Sequence, residues 1–189
     1  MIEELIKKNR SYRRFYEQGK IEESVLKELI NLARFSPSAS NLQPLKYMLS
    51  CAQEKNDLIF PALAWAGYLK GWPGPKQGER PAAYIIILGD KKISTTLWCD
   101  CGIAAQSIML AVTEKGYAGC IIGSIQREFL RKNLNIPQHL EILLVLAMGR
   151  PKEIVLLEDK KPDTDIKYYR DEKGNHHVPK RTLKEIIVA

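Results

Sequence analysis

The chain has 189 residues, of which 45% are hydrophobic and 27% charged, with a net charge of +7. That balance suits one soluble domain spanning residues 1–189 and excludes general disorder, collagen-like repeats and a coiled coil. The longest apolar runs, at 82–88 and 142–148, fall well short of the ~20 residues of a membrane helix. The acidic start Met1-Ile2-Glu3-Glu4 is unlike a secretory signal, so a cytoplasmic protein with no membrane partner is expected.

In chain order, Ile2, Leu5 and Ile6 give one stripe of a short helix over residues 2–8. Val25, Leu26, Leu29, Ile30 and Ala33 mark one face of a clearer helix over 22–35. Pro37 ends it, and a polar loop bounded by Pro37 and Pro44 follows. Leu45, Tyr47 and Leu49 then alternate as in a half-buried strand. Residues 53–82 read as irregular. There Trp65, Tyr68 and Trp72 lie among glycines and prolines, either as a lid shaping a pocket or as a surface loop pinned by its aromatics.

The run 82–88 reads as a buried strand ended by Gly89-Asp90. Leu97, Cys101, Ala104, Ala105, Ile108, Ala111 and Val112 predict a long core helix over 97–115, ended by Gly116. Residues 118–122 read as a short strand closed by Gly123, with Ser124 capping a helix that runs to about Leu134. A third buried strand falls at 142–148. Residues 160–179 read as a polar connecting arm, and 183–188 close the chain as a strand or short helix. Helices alternating with buried strands place the fold in the α/β or α+β class.

Four cysteines, Cys51, Cys99, Cys101 and Cys120, and three histidines, His139, His176 and His177, show no zinc spacing, so no metal site is expected. Cys120 reads as a small buried hydrophobe. No G-x-G-x-x-G fingerprint, Walker lysine or Ser-His-Asp constellation is suggested. The basic residues crowd the two ends: Lys7, Lys8, Arg10, Arg13 and Arg14 at one, Lys180, Arg181 and Lys184 at the other. Chain ends often meet in a domain, so both clusters can converge on one anion. No aromatics interleave with the charges as a stacking platform would require, which argues against nucleic acid.

Three motifs occur in order: Asn9-Arg10-Ser11-Tyr12-Arg13-Arg14-Phe15, then Pro37-Ser38-Ala39-Ser40-Asn41-Leu42-Gln43-Pro44, then Asp100-Cys101-Gly102-Ile103-Ala104-Ala105-Gln106 ahead of a glycine-spaced run to Gly123. Together they resemble the nitroreductase family of FMN-dependent oxidoreductases, over nearly the whole chain. The resemblance implies a three-layer α+β fold, with a central, mostly antiparallel sheet flanked by helices, in an intertwined homodimer. It implies that Arg10, Ser11 and Arg13 grip the phosphate, ribityl chain and pyrimidine edge of FMN, and that Arg13 stabilises the reduced ring. The family usually has a second arginine where this chain has Asn9. Pro37, Ser38, Ala39, Ser40 and Asn41 match the loop lent by the partner subunit. Ile121, Ile122 and Gly123 match the backbone passing N5, and Arg181, with Lys180, matches the C-terminal group at the phosphate.

The activity so implied takes hydride from NAD(P)H onto the flavin and passes electrons, ping-pong, to a nitroaromatic or quinone. The alternative is a flavin-binding or storage protein without efficient turnover.

Overall fold

The computed structural model describes residues 1–162 and 164–188. Its centre is strand β3 (Ala83–Asp90), buried along all but its last residue. A strand covered on both faces needs apolar residues at every position rather than at alternate ones, which is what Tyr84, Ile85, Ile86, Ile87 and Leu88 provide. Alternate side chains point to opposite faces. Ile85 and Ile87 therefore enter one core with Leu26, Leu29, Ile108 and Met109, while Tyr84, Ile86 and Leu88 enter another with Ile59, Trp65 and Leu130. Each fully buried aliphatic or aromatic side chain of this kind contributes roughly 1.5–3 kcal/mol.

Strand β3 pairs antiparallel with β2 (Leu45–Ser50) on one side and β5 (Leu140–Pro151) on the other. Strand β5 is long enough to pair antiparallel with β4 (Ala118–Ile122) and with the short β1 (Phe15–Tyr16) as well, completing five strands. One face is covered by α2 (Glu23–Ala33) and the 17-residue α4 (Trp98–Glu114). The other is covered by α3 (Gln53–Ile59) and α5 (Arg127–Asn133). Helix α1 (Ile2–Lys8) packs on α4. This is an α+β fold with a mostly antiparallel central sheet between helical layers. Among the described residues no helix is long and apolar enough to cross a membrane.

Three sequence expectations need correction. Residues 53–82 are not irregular throughout, because they open with α3. Its inward face carries Asn56, which interrupts the apolar stripe; the side chain is buried all the same, accepting from Ser50 Oγ (2.7 Å) and donating to the Ala82 carbonyl (2.8 Å). Ser124 does not cap a helix, since α5 begins three residues later at Arg127. The Ser124 carbonyl instead accepts from the Ala64 N–H (3.0 Å), beside the Leu63–Ile125 bridge.

The polar arm at 160–179 carries strands of its own. There β7 (Tyr169–Arg170) and β8 (His176–Lys180) join β6 (Val155–Asp159), just ahead of the arm, in a second sheet ordered β6-β8-β7, with β6 and β8 parallel. The chain then closes in α6 (Leu183–Ile186), opened by a Thr182–Glu185 capping box.

Candidate active site

Helix α1 stops at Asn9, whose backbone turns extended. The chain beyond it runs beside β4. Ser11 forms a parallel bridge with Gly119, and the Tyr12 N–H donates to the Gly119 carbonyl at 2.9 Å. Residue 119 is also tightly packed against β5 and α4. A Cβ there would sit 2.7 Å from the Ala147 carbonyl oxygen and 2.8 Å from Met109 Cε. The neighbouring Arg14 and the backbone of Arg13 are fixed from behind. The Arg13 and Arg14 N–H groups donate to Glu153 Oε1 at 2.5 and 3.1 Å, and Arg170 pairs with Glu153 Oε2 at 2.9 Å.

This arrangement opens Arg10 and Arg13 onto a cavity of about 280 Å³. Strand β8 supplies the opposite wall. Its alternation puts His176, Val178 and Lys180 on the cavity face, with Gln106 and Met109 of α4 closing one side. The lining holds three cations, Arg10, Arg13 and Lys180, and no carboxylate. Burial lowers the Arg10 pKa, and burial followed by the charge of Arg10 lowers that of Lys180. Arg10 Nη2 donates to the Ile6 carbonyl at 2.8 Å, while its buried Nε has no partner among the described residues.

Arg13 is 8% exposed. Its Nη1 lies 3.0 Å from His176 Nε2 and 3.2 Å from the Ser11 carbonyl, and the Tyr168 ring covers the guanidinium at 4.6 Å. Arginine only donates, so Nε2 accepts and the imidazole proton sits on Nδ1. Burial, reinforced by the Arg13 and Arg170 charges, pushes the His176 pKa down to about 4.

A second cavity of about 170 Å³ adjoins the first, sharing Arg13, Ile121 and Tyr168. Its other walls are Ile122, Gly123 and Ser124 from the end of β4, and Trp65 from the opposite loop. Cys120 also lines it, but burial raises its thiol pKa, which suits a packed side chain rather than a nucleophile. A depression of about 1050 Å³ lies apart from the motifs, between Glu17, Asp57, Phe60 and Arg80.

The sequence candidates therefore divide. Arg10, Ser11, Arg13, Ile121 and Lys180 share the first cavity, and Arg13, Trp65, Ile121, Ile122 and Gly123 share the second. Pro37 and Ser38 line a separate cavity of about 240 Å³. That loop is pinned to α4, with Ser38 Oγ donating to Asp100 Oδ2 (2.5 Å) and the Ala39 N–H to Oδ1 (3.1 Å). Ala39, Ser40 and Asn41 form an exposed turn in which Ser40 and Asn41 take positive φ.

Arg181, one residue beyond the end of β8, is exposed and outside the lining. Tyr68 reaches the site only through Tyr168, their ring centres 4.9 Å apart, and Trp72 lies under Arg170 at 4.3 Å. Sequence reading missed Tyr168, His176 and Val178. Only the period-2 spacing of residues 176, 178 and 180 hints at the last two, and nothing marks Tyr168.

The family model described as Nitroreductase family matches residues 6–150. A protein of Archaeoglobus fulgidus, provisionally named NADH dehydrogenase/NAD(P)H nitroreductase, is 26% identical over 148 residues, covering 74% of this chain and 80% of its own. The solved structure of an FMN-dependent nitroreductase from Clostridium difficile R20291 superposes with a TM-score of 0.64 at 21% identity, covering 87% of this chain and 92% of its own. That of a nitroreductase family protein from Streptococcus pneumoniae TIGR4 covers both chains completely, with a TM-score of 0.71 at 18% identity. With more than half its length matched, the chain belongs to the nitroreductase family of oxidoreductases.

Proposed function

We propose that the protein is an FMN-dependent oxidoreductase that draws hydride from NAD(P)H and passes electrons to an electron-poor acceptor such as a nitroaromatic or quinone. The observation that carries this reading is the first cavity, where Arg10, Arg13 and Lys180 converge without a carboxylate in the lining. Like charges brought together destabilise one another, and an anion is the partner they lack. The unpartnered Nε of Arg10 adds a free donor. This donor set fits the FMN phosphate, and the adjoining cavity beside Trp65 and residues 121–123 fits a flat ring.

In this reading Arg10 and Lys180 hold the phosphate, and the exposed Ser11 donates to the ribityl chain. Arg13 meets the pyrimidine edge, where negative charge gathers on reduction. Ile122 and Gly123 bring backbone alongside N5, and Trp65 keeps water from that side. Bound FMN supplies the ring that accepts hydride and, after the nicotinamide leaves, yields electrons to the acceptor. The protein needs no nucleophile or general acid of its own.

The working unit in this reading is a homodimer, in which the Pro37–Asn41 turn reaches the partner's cavity. Exposed Phe35, Leu42 and Trp98, near that turn in sequence or at the start of α4, support it, as do Leu183, Ile186 and Ile187 at the C-terminus.

The test is to mix the purified protein with excess FMN, remove the free flavin, and add NADH or NADPH without oxygen. A yellow protein that bleaches supports the enzyme reading. A yellow protein that neither nicotinamide bleaches supports flavin storage, and a colourless one overturns both.

A further inference from the structure

Arg13 is buried without a counter-charge. Among the described residues no carboxylate lies within 4.0 Å of its guanidinium. The carboxylate of Glu153 is engaged elsewhere, by the Arg13 and Arg14 N–H groups and by Arg170. The side chain of Arg13 is held instead by neutral groups, His176 Nε2 at 3.0 Å, the Ser11 carbonyl at 3.2 Å and the Tyr168 ring face at 4.6 Å.

His176 is itself rigidly placed. It is 1% exposed, its backbone N–H donates to the Ile154 carbonyl at 2.8 Å, and it pairs with Val155 and Arg170 across the second sheet. Tyr168 leans on it at 5.2 Å between ring centres. Both residues lie beyond 6–150, the stretch the family model matches.

We propose that His176 is a positioning residue for Arg13, a neutral acceptor that aims the guanidinium at the electron-rich edge of the flavin without cancelling its charge. Tyr168 closes the other side of the guanidinium. A carboxylate in the same place would orient Arg13 equally well but would neutralise it, and the reduced, more negative ring would lose the stabilisation. The histidine supplies direction alone. The arm that carries it thereby sets how strongly the site prefers reduced over oxidised FMN. This rests on the FMN reading given above.

The experiment measures FMN affinity by fluorescence quenching, and the flavin midpoint potential by dye-coupled reductive titration, on the reconstituted protein. His176→Gln, whose amide oxygen can accept from Arg13, is expected to keep the wild-type potential. His176→Glu is expected to reduce the preference for reduced over oxidised FMN at least tenfold, a fall of about 30 mV for a two-electron couple. Should that buried variant fail to fold, Tyr168→Glu, at a half-buried position over the same guanidinium, is expected to lower the potential in the same direction.

A wild-type potential in the glutamate variants overturns the proposal. So does an equal fall in His176→Gln and His176→Glu, which would mark a merely structural role. If the wild-type protein takes up no FMN, the functional reading fails instead, and the two failures are told apart by that control.

Discussion

Arg14 clasps Glu79 with two parallel hydrogen bonds, Nε to Oε2 at 2.9 Å and Nη2 to Oε1 at 2.7 Å. Lys152 adds a third contact at 3.3 Å, and the Glu79 side chain is only 6% exposed. The pair ties the segment before β3 to the start of β1 and, through Lys152, to the end of β5, directly behind the residues that line the cavity.

The Arg14 hydrogen bonds hold the Glu79 pKa down to about 2, against an ordinary 4.5. A depressed carboxylate contributes stability that is fully present above its unfolded pKa and is lost as pH falls through the folded one. A shift of that size corresponds to about 3 kcal/mol. Glu79→Gln should therefore be less stable than wild type by a few kcal/mol at pH 7, and the gap should close between about pH 4.5 and 2. Urea unfolding of both proteins across that window checks it. A pH-independent gap would contradict the assignment.

His177 faces away from the cavity, between Glu158 Oε2 (3.1 Å) and Asp171 Oδ2 (3.2 Å), stacked on Tyr169 at 4.7 Å. Its hydrogen bond to Asp171, then that to Glu158, raise its pKa above the ordinary 6.5. A raised histidine pKa gives stability that is present below about pH 6.5 and lost as pH rises through the folded value. For so accessible a pair the gain is about 1 kcal/mol at most. His177→Gln should melt below wild type at pH 5.5, and the two melting curves should converge at pH 8.5.

Lys180 and Arg181 are neighbours in sequence, but only Lys180 lines the cavity. A charge-assisted hydrogen bond is worth roughly 1.5–3 kcal/mol, so Lys180→Ala should weaken FMN binding by about tenfold or more. Arg10→Ala should do the same. Arg181→Ala, at an exposed position off the lining, should change the dissociation constant by no more than about twofold. Fluorescence titration of the three variants decides the order.

Gly119→Ala places a methyl against the Ala147 carbonyl oxygen and Met109 Cε, neither with space to spare. Overpacking of this kind costs about 1–3 kcal/mol. The cheapest relief is for the flexible end of Met109 to move, and Met109 lines the cavity, so FMN affinity should fall along with thermal stability. Calorimetry and flavin titration on the same sample test the linkage.

How much of this was legible in the sequence follows from what hides the rest. Strand β3 and the middle of β5 announce themselves because they are buried on both faces and so read as unbroken apolar runs, and β4 does so over all but the cavity-facing Ile121. Helix α4 shows because its small and apolar residues keep helical spacing against the sheet, and Gly116, at φ +77, ends it as expected. Helix α3 was masked by Asn56, a polar residue that two hydrogen bonds allow into the core. Strand β8 was masked because its cavity-facing residues, His176, Val178 and Lys180, are chosen for a binding surface rather than for an apolar core. The Arg10–Arg13 motif pointed to the right side of the cleft. His176 is placed by a parallel pairing with β6, of which the sequence shows only the period-2 spacing of 176, 178 and 180, and Tyr168 lies just ahead of β7 with no local pattern to mark it.

The cleft is assembled from residues 170 positions apart in the chain, Arg10 on one wall and Lys180 on the other. If FMN is bound there as proposed, a polypeptide still on the ribosome lacks one of the two anchors for the flavin's phosphate. Residues through Lys180 must have left the exit tunnel, and the sheet of β6, β7 and β8 must have zipped, before an anion finds both anchors. On that reading loading is a late event in the life of each molecule, and a molecule broken off before β8 would hold the flavin weakly however well the rest had folded.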